Sequence, residues 1–132
     1  MTQDIRWKQR FEHFQSAFDQ LAEGLSLKQP SALEKEGIIQ RYEYTFELAW
    51  KTMKDFLSEN GVTSSFPKEV IKKAFHYGLI EDGHVWIKML DDRNKMSHLY
   101  DENTFREVFA DVQTQYYPVI LKLVQRLTDE LQ

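Results

Sequence analysis

The chain has 132 residues, no cysteine, and a net charge of −4 from 17 basic and 21 acidic side chains. Compact domains most often contain about 100–150 residues, so residues 1–132 are expected to form one domain. Without cysteine, the chain cannot form a disulfide, a thiolate nucleophile or a cysteine-based zinc site. The acidic balance argues against general nucleic-acid binding, which needs a basic face, but it leaves room for a small local phosphate site.

No segment of the sequence predicts export or membrane insertion. The first 14 residues lack the uninterrupted apolar run of a secretory signal. No stretch approaches the roughly 20 apolar residues that a membrane-spanning helix needs. We therefore expect a cytoplasmic protein.

The first predicted helix carries a single apolar stripe, whose spacings alternate between four and three residues. The stripe begins at Trp7 and ends at Leu25. Gly24 and the segment 26–30 are predicted to break this helix.

The second predicted helix begins near Ser31 and ends at Asn60-Gly61, a dipeptide that favours helix termination. It carries two apolar stripes instead of one. One contains Ile38, Tyr42, Thr45, Ala49, Thr52 and Phe56, and the other contains Ile39, Phe46, Trp50, Met53 and Leu57. A surface helix needs only one stripe. This helix therefore lies at the centre of the bundle or also contacts a second subunit.

Two short helices are predicted next. Pro67 suits the first position of the first of them, because its missing N–H would be unpaired there in any case, and this helix ends at Gly78. Asp82 is predicted to cap the other, which ends between Met96 and His98.

Asp101 or Asn103 is predicted to cap the last helix, whose apolar stripe begins at Phe105 and ends at Leu127. Pro118 lies inside that stripe, where it should bend or split the helix. No apolar–polar alternation persists, so no strand is predicted. Three long helices and two short ones, joined by brief loops, favour an all-α, antiparallel up-and-down helical bundle.

Several well-known functional motifs are missing. The sequence contains no glycine-rich phosphate loop and no Gly-x-Ser-x-Gly turn. A single Glu-x-x-His match, from Glu81 to His84, spans a glycine-containing helix start. A carboxylate-bridged metal pair in a bundle needs two such motifs. We therefore expect neither a metal ion nor another cofactor.

The strongest candidate site is the polar segment 91–101, which includes Arg93, Asn94, His98 and Tyr100. Arginine offers a planar fork to phosphate oxygens, histidine can move a proton near neutral pH, and tyrosine can stack on a base. In an unbroken helix of 3.6 residues per turn, Arg93 and His98 point roughly 140° apart. To share one substrate, they need a helix that ends before His98, or two copies that face each other across a dimer. A solvated helix end with capping side chains also explains the segment, so the spacing alone does not decide its function.

A wider match connects this segment to a known family. Residues 37–57, GIIQRYEYTFELAWKTMKDFL, resemble the signature of the nucleotidyltransferase substrate-binding proteins, a minimal branch of the HEPN superfamily of helical bundles. The resemblance continues through residues 67–71, 74–75, 78–80 and 85–86. It ends on Arg93-Asn94-x3-His98-x-Tyr100-Asp101, which is similar to the superfamily's Arg-x4-His motif with a following tyrosine. One departure is Phe66, where a small capping residue is expected.

The resemblance implies a homodimer that pairs with a minimal nucleotidyltransferase encoded beside it, often as a two-gene module. In one view, the helical subunit binds or presents a substrate to the transferase. In the other view, the pair is a toxin–antitoxin system in which the helical protein is a metal-independent ribonuclease. The transferase then silences it by adding a nucleotide to Tyr100. The sequence places the binding subunit first, and the two functions are not exclusive.

The resemblance also implies roles for the motif residues in the ribonuclease. His98 takes the proton from an RNA 2′-hydroxyl, which attacks the adjacent phosphate, and Arg93 stabilises the charge that develops on the phosphoryl oxygens. Asn94 orients His98 or the phosphate. A dimer brings two histidines to one cleft, where one acts as the base and the other as the acid.

The second predicted helix carries a row of charges, Glu43, Glu47 and Lys51, that allows two interpretations. Glu43 or Glu47 can hold Arg93 in place, or Glu47 can form an ordinary helical pair with Lys51. Trp50 is expected in the core and not as a base-stacking platform.

Overall fold

The computed structural model describes residues 3–132, with side chains from residue 5. All regular elements in this range are helical, which confirms the predicted all-α class. In chain order they are α1 (Gln3–Leu25), α2 (Ala32–Glu59), α3 (Pro67–Tyr77), α4 (Gly83–Met96), α5 (Glu102–Asp111), a π-helical turn (Val112–Tyr116) and α6 (Tyr117–Glu130). The three long helical segments are α1, α2 and the continuous segment formed by α5, the π-helical turn (called the π-turn below) and α6. The shorter helices α3 and α4 lie between the second and third of these segments in the chain.

The helices α1 and α2 run antiparallel. At one end, Trp7 meets Phe56 edge-on, with ring centroids 5.2 Å apart. At the other end, the Arg41 guanidinium donates to the carbonyl oxygen of Gln20 at 2.6 Å. The first part of α1 therefore lies beside the last part of α2, as an up-and-down bundle requires.

Both predicted ends of α2 are confirmed. Ser31 Oγ accepts from the Glu34 N–H at 3.1 Å, and Glu34 Oε1 accepts from the Ser31 N–H at 2.8 Å. This reciprocal capping box satisfies two backbone donors that the helix start leaves unpaired. Asn60 lies at the C-cap, and Gly61 follows in the left-handed region with φ of 82°.

The helix α2 occupies the centre of the fold, because it packs against α1, α3 and α4. Both of its apolar stripes are buried, and Trp50 belongs to the core as expected. Towards α4, the Phe46 ring lies 6.0 Å from the Trp86 ring. The Tyr42 hydroxyl donates to the Met89 carbonyl oxygen at 2.7 Å. A central position therefore accounts for the double stripe within one chain.

The helix α3 starts and ends where the sequence predicts. Pro67 is in the first turn, and Gly78 closes the helix with φ of 91°, a conformation that glycine adopts without strain. Phe66 gives no side-chain cap. Glu69 Oε1 instead accepts from the Ser65 N–H at 2.7 Å, so a carboxylate from inside the helix satisfies the donor just before it.

Two further helix boundaries have different causes, one tertiary and one local. Asp82 lies at the N-cap of α4 but accepts no capping hydrogen bond; its carboxylate lies 3.5 Å from Lys122 Nζ. The prediction that Pro118 bends or splits the last helix is confirmed, because a π-turn separates α5 from α6 just before it. Because Pro118 has no N–H and its ring crowds the preceding turn, the backbone widens before it.

In the part of the chain that the structure describes, no helix has the length and apolar character needed to cross a membrane.

Candidate functional site

The end of α4 decides how the candidate residues are presented. The helix ends at Met96, and Ser97 forms its C-cap. Ser97 Oγ donates to the Asn94 carbonyl oxygen at 2.8 Å, and the His98 N–H donates to the Lys95 carbonyl oxygen at 3.2 Å. The helix therefore ends before His98. This is one of the two arrangements that the motif needs if Arg93 and His98 are to serve one substrate.

Arg93 lies in the last turns of α4, and two neighbours hold its guanidinium. Its Nη2 donates to Glu47 Oε1 on α2, and its Nη1 donates to Asn94 Oδ1 at 3.1 Å. Glu47 also pairs with Lys51, whose Nζ lies 3.4 Å from Oε2. Both interpretations of the charged row on α2 are therefore realised by the same carboxylate. The Arg93 side chain remains 30% exposed, so part of it is open to solvent.

Glu43 lies one turn before Glu47 and plays a different part. Burial raises the pKa of Glu43, and the positive charge of Arg93 opposes that rise. Among the described residues, Glu43 has no hydrogen-bond or ion-pair partner. Glu47 is therefore the carboxylate that fixes Arg93, and Glu43 contributes a weaker, longer-range attraction.

A buried tether, formed by Asp92 and Tyr116, fixes α4 on its inner side. The Tyr116 hydroxyl donates to Asp92 Oδ2, and both residues are buried. The Tyr116 ring stacks on Tyr42 with centroids 5.7 Å apart, and Tyr42 is itself bonded to the backbone of α4. The tether therefore joins α4, α2 and the π-turn directly behind Arg93.

The environment of the tether opposes ionisation of its tyrosines. Burial raises the pKa of Tyr116, and its hydrogen bond to the Asp92 carboxylate raises it further. Burial likewise raises the pKa of Tyr42, with smaller contributions from Tyr116 and Asp92. Both hydroxyls are therefore protonated donors at neutral pH.

Beyond α4, the residues 97–100 form an exposed loop. Within the described residues, no hydrogen bond or ion pair engages the His98 side chain, and Leu99 is fully exposed. Tyr100 is 39% exposed, and its ring stacks on Phe105 with centroids 6.0 Å apart. The loop ends at Asp101, whose Oδ1 accepts from the Thr104 N–H at 2.7 Å and caps α5. This hydrogen bond lowers the pKa of Asp101.

The candidate residues thus fall into two sets. Arg93 and Asn94 are held on the end of α4, with Glu47 behind them. His98 and Tyr100 lie on the loop that follows, between two helix ends.

A family model described as nucleotidyltransferase substrate binding protein like matches residues 9–129. The chain belongs to this family. The family membership that the sequence suggested is therefore confirmed, and the match extends well beyond the segment 37–101 that carried the resemblance.

Three proteins of known sequence or structure are similar to this chain. A Haemophilus influenzae protein named probable ribonuclease HepT is 32% identical over 92 residues, which span 64% of this chain and 63% of that relative. A crystal structure from Thermus thermophilus is 34% identical, with a TM-score of 0.80, and covers 86% of this chain and 98% of its own. A second structure, from Haemophilus influenzae, is described as the fold of a substrate binding domain of a nucleotidyltransferase. It is 26% identical, with a TM-score of 0.74, and covers 89% of this chain and 98% of its own. Both structures share the fold of this chain, which confirms the predicted helical bundle.

Two features of the site were missed by sequence reasoning. Asp92 was counted only as part of a polar segment, although it continues the inward-facing spacing of Val85, Met89 and Met96 on α4. Phe109 lies outside the predicted stripe of the last helix, yet it stacks on Phe105 one turn away. In both cases the spacing of three or four residues from neighbouring apolar positions could have identified the residue.

Proposed function

We propose that this protein is a metal-independent ribonuclease that works as the helical partner of a nucleotidyltransferase. The observation that carries the proposal is the end of α4 at Met96. It frees His98 from the helical geometry that would direct it away from Arg93. This favours the ribonuclease over the purely substrate-binding subunit that the sequence alone placed first. The name of the Haemophilus influenzae relative supports the same choice.

The chemistry follows from the residue types. The imidazole of His98 takes the proton of an RNA 2′-hydroxyl, and the 2′-oxygen attacks the adjacent phosphorus. The bond from phosphorus to the 5′-oxygen breaks, and that oxygen receives a proton. The products are a 2′,3′-cyclic phosphate and a free 5′-hydroxyl.

Arg93 supplies the charge stabilisation in this reaction. Its guanidinium faces the two non-bridging oxygens, on which negative charge grows in the transition state. The ion pair with Glu47 fixes the direction of the fork before the RNA binds, so that less reorganisation is needed during the reaction. Asn94 directs its side-chain oxygen to Arg93, which leaves its amide nitrogen to donate to the phosphate.

The leaving 5′-oxygen needs a proton donor in addition to the base, His98. We propose that a homodimer supplies it, with His98 of one copy acting as the base and His98 of the other as the acid. Both histidines lie on exposed loops, so two copies can share a cleft without rearranging their cores.

The first experiment measures RNA cleavage by the purified protein in EDTA, beside His98→Ala. Cleavage is expected to survive EDTA and to fall by about 10²–10⁴-fold in the variant, the usual contribution of an acid–base group. His13→Ala is the matched control, since it removes another exposed histidine, on α1, and it is expected to cleave normally. Equal cleavage by the wild type and His98→Ala would exclude His98 from the reaction.

A second proposal concerns the partner. We propose that a nucleotidyltransferase encoded nearby transfers a nucleoside monophosphate from a nucleoside triphosphate to the Tyr100 hydroxyl. The tyrosine oxygen loses its proton and bonds to the α-phosphorus, pyrophosphate leaves, and the bulky, charged group blocks the site. The exposure of Tyr100, in an extended loop beside the fully exposed Leu99, supports this acceptor role. A subunit that only binds substrate for the transferase needs no such accessible hydroxyl.

Mass spectrometry tests the second proposal. The protein is incubated with the partner transferase, Mg²⁺ and nucleoside triphosphates, and the mass of one or more nucleotides is expected on Tyr100. Tyr100→Phe should stay unmodified, whereas Tyr77→Phe should be modified normally, because Tyr77 is a comparably exposed tyrosine on α3. Modification that persists in Tyr100→Phe would assign the acceptor to another residue.

A further inference from the structure

A stack of three aromatic rings leads from the candidate site along α5. Tyr100 stacks on Phe105 at 6.0 Å and 20° between ring planes, and Phe105 stacks on Phe109 at 6.2 Å and 14°. We call these three residues the aromatic ladder. Exposure falls along the ladder, from 39% at Tyr100 to 8% at Phe109. Tyr100 is therefore the open end of a stack whose other end is fixed in the core.

The ladder lines a groove of about 450 Å³ between α5 and the start of α2. Two cationic side chains, Lys35 and Arg106, line the same groove. Lys35 Nζ lies 5.7 Å from the centroid of the Phe109 ring, a cation–π distance. A neighbouring opening of about 500 Å³ shares Lys35, Arg106 and Phe109 and adds Lys28 from the loop between α1 and α2. The two form one continuous surface that leads away from Tyr100.

The charges of the groove limit the kind of ligand that it fits. Glu36, Asp101 and Glu102 also line it, and Glu102 lies 3.4 Å from the Arg106 guanidinium. A long run of phosphates would meet these carboxylates and be repelled. A single base with one or two flanking phosphates, by contrast, can contact the stacked rings of the ladder and the ammonium group of Lys35.

We propose that this groove binds an unpaired nucleotide of single-stranded RNA, with its base stacked on the aromatic ladder at Tyr100 and a flanking phosphate near Lys35. Only an unpaired base offers both faces for stacking, and aromatic platforms beside basic groups are how proteins hold single strands without reading their sequence. The inference rests on the proposed ribonuclease function, because Tyr100 and His98 share one loop. It adds the position of a nucleotide next to the one that is cut and predicts a preference for unpaired RNA.

Binding is measured with a fluorescein-labelled 2′-O-methyl RNA oligonucleotide, which has no 2′-hydroxyl and cannot be cleaved by the proposed reaction. Tyr100→Leu keeps apolar bulk but removes the aromatic face, and we expect it to raise Kd at least about fivefold. Tyr100→Phe keeps the ring and should recover most of that loss, although it cannot accept a nucleotide. Phe75→Leu, which removes an exposed ring from α3, is the matched control and should bind like the wild type. Circular dichroism confirms that each variant is folded.

The salt dependence of Kd tests the cationic part of the groove. One phosphate contact contributes a slope of about −0.7 in a plot of log affinity against log salt for a single strand. Lys35→Ala is expected to reduce the slope by about that amount. A hairpin of the same composition should bind more weakly than the single strand.

The outcomes separate this inference from the ribonuclease proposal. Equal Kd values for the wild type and Tyr100→Leu, with EDTA-resistant cleavage that still needs His98, would overturn the groove and leave the ribonuclease standing. Binding that depends on the Tyr100 ring, without any cleavage, would support the groove and remove the enzyme. If Tyr100→Leu converts a dimer into a monomer in sedimentation, the groove is a contact between copies of the chain, and the inference is wrong.

Discussion

The buried tether between Asp92 and Tyr116 provides the sharpest test of how α4 is held. Tyr116→Phe removes one hydroxyl and keeps the ring, so the stacking on Tyr42 is retained. The Asp92 carboxylate then stays buried without its neutral donor. Among the described residues, the ion-pair partner of that carboxylate is Lys95, whose Nζ lies 3.7 Å away on a side chain that is 62% exposed. Lys88, whose Nζ lies 5.5 Å from the centroid of the Tyr116 ring, acts on the carboxylate at longer range. An ion pair of that kind contributes less than about 1 kcal/mol and cannot replace a buried hydrogen bond.

The size of the effect follows from these contacts. A hydrogen bond to a charged group contributes about 1.5–3 kcal/mol, so we expect Tyr116→Phe to lower the free energy of unfolding by about 2 kcal/mol. At about 2.1 cal/mol/K per residue, a chain of 132 residues unfolds with an entropy of about 0.28 kcal/mol/K. The melting temperature should therefore fall by about 7 °C.

Tyr117→Phe is the matched control, because Tyr117 is the next residue and is only partly buried. Its ring stacks on Phe18 at 5.0 Å, and among the described residues its hydroxyl has no hydrogen-bond partner. We expect a change within about 0.5 kcal/mol, or about 2 °C. Thermal unfolding followed by far-ultraviolet circular dichroism measures both variants. If Tyr116→Phe melts together with Tyr117→Phe, the tether makes no net contribution and the argument from buried hydrogen bonding is refuted.

Three further predictions concern a carboxylate, a helix cap and the guanidinium. Because burial raises the pKa of Glu43, its ionised form costs stability, so Glu43→Gln should raise the melting temperature at pH 7. The gain should vanish as the pH falls below the ordinary value of 4.5, whereas the exposed control Glu12→Gln should show no such trend in thermal melts. Ser31→Ala breaks the capping box and should cost about 1 kcal/mol in urea unfolding, and an unchanged midpoint would contradict the cap. Arg93→Lys keeps the positive charge but loses the planar guanidinium fork, so the kcat of RNA cleavage should fall about 10-fold or more with little change in folding. A kcat equal to that of the wild type would contradict the contact of Arg93 with two phosphate oxygens.

The parts of the fold that the sequence predicted are those set by local chemistry. Ser31 caps α2 through atoms three residues away, and Gly78 ends α3 through its own backbone angle. Pro118 splits the last helix because of a hydrogen bond that proline cannot donate. Each of these signals acts within about one helical turn, so a short window of sequence contains it.

The parts that could not be predicted depend on residues far apart in the chain. The Asp82 carboxylate pairs with Lys122 and does not cap its own helix. The buried tether joins residues 92 and 116, and nothing in either local pattern identifies the partner. In the site, the residue types and the helix end were accessible from the sequence. The choice between Glu43 and Glu47 as the support of Arg93 required the packing of α2 against α4.

The contacts on either side of the loop 97–100 support its proposed role as a functional site. Before the loop, α4 is fixed by Tyr42 at the Met89 carbonyl, by the buried tether at Asp92, and by Glu47 at Arg93. After the loop, α5 is fixed by its cap at Asp101. The residues 97–100 therefore connect the tethered end of α4 to the capped start of α5, and so short a connection restricts where His98 and Tyr100 can lie. Functional side chains on loops need such rigid flanks. In the proposed mechanism, a nucleotide attached to Tyr100 would for the same reason stay near His98, so one modification would block both the loop and the groove.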